Sequence, residues 1–190
     1  MTAHRAMISI MSEPLEALRP LFSRSIALGA GDTLFRRDDA VRAMHLVETG
    51  CVHLARFGED GTSAVMQRAA PGDLLAESSV FVTSYHCDAI AVSDALVRTA
   101  EVRRVRAALQ GDNRLMECFA RHLGGEVMRM RSRVEILRRR TVQDRLDGWF
   151  ALNGGSLPAK GNWRSIAEDI GVSPEAFYRE LQRRRATVGT

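Results

Sequence analysis

The chain has 190 residues, 45% of them hydrophobic, with 27 basic and 23 acidic side chains and a net charge of +4. That length holds one large or two small packed domains. No stretch approaches the roughly 18 uncharged apolar residues of a membrane helix and no signal peptide is evident, so a soluble cytoplasmic protein is expected. Three cysteines, Cys51, Cys87 and Cys118, are too few for a disulfide framework or a four-thiolate metal cluster. The charge is unevenly spread: residues 1–111 carry 12 basic and 13 acidic side chains, residues 112–190 carry 15 and 10. The second part is the candidate polyanion binder.

Ser12 followed by Pro14, Leu15, Leu18 and Phe22 predicts a short capped helix. From Arg24 to Arg104 short β-rich runs alternate with turn signals such as Gly29-Ala30-Gly31-Asp32, Glu48-Thr49-Gly50, Gly58-Glu59-Asp60-Gly61 and Pro71-Gly72-Asp73, the pattern of an antiparallel sandwich or roll. Val47 to Phe57 and Ser63 to Arg68 should form a hairpin, and Cys87 to Ala91 a half-buried strand.

Between Asp112 and about Arg140, Met116, Ala120, Leu123, Val127, Met130, Val134 and Leu137 follow 4-3 spacing, the seam of a parallel homodimeric coiled coil. The competing reading is a core helix inside one subunit, since Gly124 and Gly125 weaken the middle and Cys118 and Phe119 widen the apolar face. A second helix should run from Thr141 to Phe150 and stop at Asn153-Gly154-Gly155, with a hinge near Arg140. Asn162 can then cap a helix through Ile170, Gly171-Val172-Ser173 makes a tight turn, and Pro174 opens a last helix: a helix-turn-helix locked by Ile166, Ala167, Val172, Phe177 and Leu181. Its outward residues Glu175, Tyr178, Arg179, Gln182 and Arg183, with Ser173, Arg164 and Arg184, are the candidate DNA-binding set. The expected organisation is residues 1–111 as an α+β sensor domain built on an antiparallel β-roll, 112–140 as the dimerisation helix, and 141–190 as the DNA-binding domain.

This order of parts resembles the cyclic-AMP receptor protein and FNR (CRP/FNR) family of bacterial transcription regulators. The resemblance is carried by Gly31-Asp32-Thr33-Leu34-Phe35, the run Met44 to Leu54, Pro71-Gly72-Asp73 through Glu77 to Phe81, and Ser173-Pro174-Glu175 followed by Arg179. It implies a sensory roll, a dimer helix and a winged helix-turn-helix, with double-stranded palindromic DNA, a second copy of the chain and RNA polymerase as partners. The effector would lie among Glu77, Ser78, Tyr85, Cys87, Val127, Met130 and Arg131.

The departures from the family pattern shape the expectation of ligand. Where cyclic-nucleotide binders have Gly-Glu and Arg-Ser pairs, this chain has Ala76-Glu77 and Ser84-Tyr85-His86-Cys87, leaving no cation in that segment for a cyclic phosphate. Met130 and Arg131 stand where small hydrogen-bonding residues meet the base. A small-molecule, redox or metal signal other than cyclic AMP is expected, and no cofactor is named. The N-terminal cysteine cluster of iron-sulfur sensing is absent. The sequence has little room after the last helix for the usual wing, so a partner-binding sensor that has lost DNA binding is the first alternative. A cupin-like metal enzyme is the second, weakened because His45 and His53 lie on separate runs without a His-x-His motif. Neither catalysis nor a metal site is expected, and Cys118 and His122, four apart on one helix, supply only half a coordination shell.

Overall fold

The computed structural model describes residues 17–58, 62–158 and 163–188. The expected cap at Ser12, the hairpin tip Glu59-Asp60-Gly61 and the expected cap at Asn162 lie outside the described residues. The chain divides into two compact units between Leu123 and Gly124.

In the first unit, eight strands follow a short 3-10 turn, Arg19–Leu21: β1 Arg24–Leu28, β2 Thr33–Phe35, β3 Ala43–Thr49, β4 Val52–Phe57, β5 Ser63–Ala69, β6 Leu74–Leu75, β7 Asp88–Ala91 and β8 Ala95–Glu101. They form two antiparallel four-stranded sheets, in the orders β1-β8-β3-β6 and β2-β7-β4-β5. This is the expected roll. The hairpin is β4 with β5, pairing Val52 with Ala69 and Phe57 with Ser63. Val47, expected at its start, belongs to β3, because the chain breaks at Gly50. There φ is +78° and a side chain would run into the backbone of Asp94 and Ala95.

Two apolar layers explain why β3 is buried at four successive positions, Met44 to Val47. Between the sheets lie Leu28, Phe35, Val47, Val52, Leu54, Leu75, Tyr85, Cys87, Ala89, Ala91 and Val97. On the outer side, Leu18, Phe22, Met44, Leu46, Leu74 and Val80 meet Val102, Val105, Leu109, Leu115 and Phe119. Burying each large side chain contributes roughly 1.5–3 kcal/mol. The outer layer includes a helix that the turn pattern concealed, α1 (Val102–Gly111), which begins where the strand pattern was expected to continue to Arg104. Its Arg106 reaches back to the carbonyl oxygens of Val80 and, at 3.0 Å, Val82. Helix α2, Asn113–Arg138, starts as read: the Asp112 carboxylate accepts from the amides of Arg114 and Leu115 at 2.9 and 3.1 Å.

The second unit comprises the rest of α2 with α3 (Val142–Leu152), α4 (Trp163–Asp169) and α5 (Pro174–Val188). Thr141 caps α3, its hydroxyl oxygen accepting from the Asp144 amide at 3.0 Å, which marks the expected break after Arg140. Ile136, Leu146, Trp163, Ile166, Ala167, Ile170, Phe177 and Leu181 form the core. Helices α4 and α5 join through Gly171 at φ +66°, where a Cβ would lie 2.6 Å from Leu137 Cδ2. That crowding and the positive φ reserve the position for glycine. Arg145 also fastens this turn, donating to the carbonyl oxygens of Ile170 and Gly171 at 3.2 and 3.0 Å and to that of Arg139 at 2.9 Å.

Candidate functional site

Helix α5 presents two unlike faces. Ser173 caps it, its hydroxyl oxygen accepting from the Ala176 amide at 3.2 Å and its carbonyl from the Phe177 amide at 3.0 Å. Phe177 and Leu181 point into the core, while Glu175, Tyr178, Arg179 and Gln182 are turned outward. The Glu175 carboxyl is held below its ordinary range by its own backbone amide, then by the Ser173 hydroxyl, with Arg179 adding a smaller attraction. Trp163 braces the outer face from behind, its ring 5.7 Å from Tyr178. Arg164 is exposed and pairs with Glu168 at 3.3 Å.

Arg183 faces outward as expected, but both it and Arg184, expected as phosphate contacts, also pair within the domain. Arg184 donates to Glu180 at 2.8 Å and to the Gln143 carbonyl at 3.0 Å, pairs with Asp147 at 2.7 Å, and lies over the Phe150 ring. Arg183 donates to Glu180 at 2.9 Å and to Gln143 Oε1 at 2.7 Å, though its side chain is 54% exposed. Glu180, only 8% exposed, is the hub that sequence reasoning missed. The signal was present, since arginines at i+3 and i+4 on a helix share one carboxylate.

The roll holds part of the expected effector set. Tyr85 and Cys87 are buried in its interior on either side of exposed His86, in the loop that leads into β7. Glu77 is buried, but Ser78 is exposed and Ser79 takes the inward position. Val127, Met130 and Arg131 lie on the second unit and are exposed. The preceding Ala76 has φ +63° although it is not glycine. The segment through His86 does have a cation near it, contributed from elsewhere: Arg56 of β4 donates to the His86 carbonyl at 2.9 Å. Burial raises the Cys87 thiol above its ordinary value, Asp88 adds to this and Arg56 opposes it, so the group is a neutral thiol at pH 7. Of the other pair considered, His122 is buried beside Phe119 and within 4.8 Å of a Glu77 carboxylate oxygen, a grouping that does not include Cys118.

His45 entered the sequence reading only as a failed cupin ligand. It is 5% exposed on β3 and lines a cavity of about 350 Å³ with Leu34, Phe35, Asp39, Ala40, Arg42, Ala43 and Tyr85. Phe35 stacks on Tyr85 with ring centroids 3.8 Å apart and on His45 at 5.5 Å. Burial lowers the imidazole pKa to about 4, which makes it neutral at pH 7. A histidine within the apolar run Met44 to Val47 was the available clue.

A two-sheet roll followed by a long helix and a helix-turn-helix defines a β-roll protein of the cyclic-nucleotide-binding type with a helical C-terminal unit. Residues 26–112 match the cyclic nucleotide-binding domain family. That match covers most of the roll, and solved structures with a similar fold extend over most of the chain. The chain is similar to FixK2 from Bradyrhizobium japonicum, at 19% identity and a TM-score of 0.69 over 86% of this chain and 85% of that one. It is similar to the c-di-GMP-responsive global regulator CLP of Xanthomonas campestris, at 16% identity and TM-score 0.62 over 93% and 92%. It is also similar to a CRP-family transcriptional regulator from Thermus thermophilus, TTHB099, at 19% identity and TM-score 0.57 over 85% of each chain. A search of curated proteins gave no match.

Proposed function

We propose that this protein is a dimeric, sequence-specific DNA-binding transcription regulator of the CRP/FNR type, governed by a signal other than cyclic AMP and without enzymatic activity. The observation that carries the reading is the outer face of α5, where Glu175, Tyr178, Arg179 and Gln182 face outward while Phe177 and Leu181 fasten the helix from behind. Arg179 can donate two hydrogen bonds to a guanine edge and Glu175 can accept from a cytosine amino group. Arg164 and the exposed part of Arg183 are the phosphate-contacting candidates, while Arg184 serves the scaffold. The residue ranges 1–111, 112–140 and 141–190 then act as sensor, dimer helix and DNA-binding domain. RNA polymerase is the further partner implied by the family resemblance. No helix among the described residues is long and apolar enough to cross a membrane, which suits a cytoplasmic regulator.

Dimerisation through α2 is supported by exposure. Val127, Met130, Val134 and Leu137 are 36–55% exposed, an apolar row that the described residues leave uncovered. A paired half-site would require two copies. In the roll, Glu77, Tyr85 and Cys87 remain the candidate effector residues, while Ser78 is less suited because it is exposed; Val127, Met130 and Arg131 stay candidates only through the family resemblance. Cyclic AMP is disfavoured because the segment Ser84-Tyr85-His86-Cys87 stands where the family resemblance implies an Arg-Ser pair, and the nearby cation is the exposed Arg56.

The test is selection of bound sequences from a random duplex library, followed by light scattering and gel shift. The expected result is a two-fold symmetric site with half-sites about one helical turn apart and a dimer in solution. Replacing Val127 and Val134 with glutamate should give monomers that no longer shift the site. A monomeric wild-type protein, or no enriched sequence, would remove the proposal in favour of a partner-binding sensor.

A further inference from the structure

We infer that Arg185 is a DNA phosphate clamp, a guanidinium held over the Trp163 ring so that its N–H edge meets one backbone phosphate beside the groove that Glu175 and Arg179 read. The inference rests on the DNA-binding reading above and adds a contact and its geometry to it. Three consecutive arginines stand in the last part of α5, and they are engaged differently. Arg183 and Arg184 share the Glu180 carboxylate, at 2.9 and 2.8 Å, and Arg184 also pairs with Asp147 at 2.7 Å. Arg185 is exposed and has no ion pair among the described residues; its contact is the Trp163 ring, whose centroid lies 5.7 Å from Cζ. The ring covers one face of the guanidinium and none of its N–H donors, which lie in the plane and suit two phosphate oxygens at once.

The ring that carries the guanidinium is itself fixed. Trp163 is 9% exposed, its indole N–H donates to the Pro158 carbonyl oxygen at 3.0 Å, and its ring packs against Phe177 at 6.4 Å and Tyr178 at 5.7 Å. A free surface arginine loses rotamer freedom when it grips a ligand, and seating it beforehand removes part of that loss. Position along α5 decides what Arg185 touches. Glu175, Tyr178, Gln182 and Arg185 follow 3-4-3 spacing, so they form one stripe on the exposed side of the helix. From Tyr178 to Arg185 is two helical turns, about 10 Å along the axis. A recognition helix reads base edges with its N-terminal residues, in a groove roughly 12 Å wide. A side chain two turns farther along the same stripe has left the base edges and lies level with the backbone, so phosphate is its partner and it carries no sequence information.

The test is fluorescence anisotropy of the full chain and its variants on the selected duplex and on a random duplex, across a series of salt concentrations. Arg185→Ala should weaken both duplexes alike, roughly tenfold at about 50 mM salt and roughly threefold at about 200 mM. One counterion fewer is released, so the slope of log affinity against log salt becomes shallower by about 0.9. Arg185→Lys keeps the charge, so it should restore the slope while part of the affinity stays lost with the planar fork. Trp163→Leu fills the core without a ring face, and in that background Arg185→Ala should weaken binding by a smaller factor than it does alone. Should Trp163→Leu fail to fold, the slopes of the two Arg185 variants decide the matter. An unchanged slope in Arg185→Ala, with the wild type binding both duplexes, would overturn the clamp and leave the DNA-binding reading standing. A loss confined to the selected duplex would also overturn it, because Arg185 would then be a base reader. A wild-type protein that binds neither duplex would remove the reading and the clamp together.

Discussion

The two units bury their titratable groups by opposite means. In the roll, His45, Tyr85 and Cys87 are all pushed by desolvation toward their neutral forms, and among the described residues no buried ion pair forms with them to reverse it. In the helical unit, Glu180 is nearly as buried, yet Arg183 and then Arg184 hold its carboxyl below the ordinary value, and it remains charged. The difference follows from where the arginines lie. They crowd the second part of the sequence, where helical i+3 and i+4 spacing lets one carboxylate answer two guanidiniums. Strand geometry in the roll offers no such spacing. A charged lattice suits a helix that must be held rigid.

The largest effect expected from this contrast is in acid. His45 falls from 6.5 to about 4 on folding, so between those values the unfolded chain binds more protons than the folded one. Its contribution is therefore complete above about pH 6.5 and is lost as pH falls toward 4, amounting to roughly 3 kcal/mol, with no further loss below. Urea melts at intervals across this window should display that slope, and His45→Phe should flatten it. Glu180, whose carboxyl is lowered from 4.5, acts only at still lower pH, as acid removes its negative charge. A slope unchanged in His45→Phe would show that the imidazole reaches water and that the roll's interior is not the neutral chamber described.

Two substitutions in the helical unit separate the outer face of α5 from its scaffold. Arg179→Ala should weaken binding to the selected duplex by about 1–3 kcal/mol while changing random DNA little and leaving thermal stability unaltered, because Arg179 is exposed. Equal losses on both DNAs would mean that it holds phosphate. Arg184→Ala should do the reverse, lowering stability by about 1–2 kcal/mol through loss of its contacts to Glu180 and Asp147, partly screened at 27% exposure. Calorimetric melting checks this, and an unchanged midpoint would return Arg184 to the phosphate-contacting set.

Much of this architecture was legible in the sequence because it rests on local signals. Asp112 and Thr141 cap the helices they were expected to open, and Gly171 sits at a turn only glycine fits. What escaped was set by partners distant in sequence. Helix α1 was hidden because β8 passes directly into it at Glu101 without a turn residue. His45 reads as one polar residue in a strand until Tyr85, 40 residues further along the chain, closes over it. Arg56 belongs to a hairpin in the sequence and to the His86 loop only in space. Arg184 was taken for a surface cation because its helix position is polar, whereas Asp147 and Gln143, which engage it, come from α3.

The smallest effect tests how far the roll has been fitted to its own sequence, and it concerns Ala76. At φ +63° and ψ +21° it enters the 3-10 turn Glu77–Ser79 in the left-handed region, where a β-carbon clashes with the neighbouring carbonyl. The family pattern has glycine there, so alanine is the strained choice, and it is 3% exposed. Ala76→Gly removes the strain but loses a buried methyl and gains unfolded-state entropy. Because the left-handed penalty is roughly 1–2 kcal/mol and the two opposing terms are each about 0.5–1, the net change should be within about 1 kcal/mol of zero. The informative readout is therefore amide exchange in residues 77–79. A strained turn held by packing should exchange faster once glycine loosens it, while β3 and β8 remain unchanged. If exchange there slows instead, relief of strain outweighs the loss of packing, and Ala76 was destabilising the turn rather than being held by it.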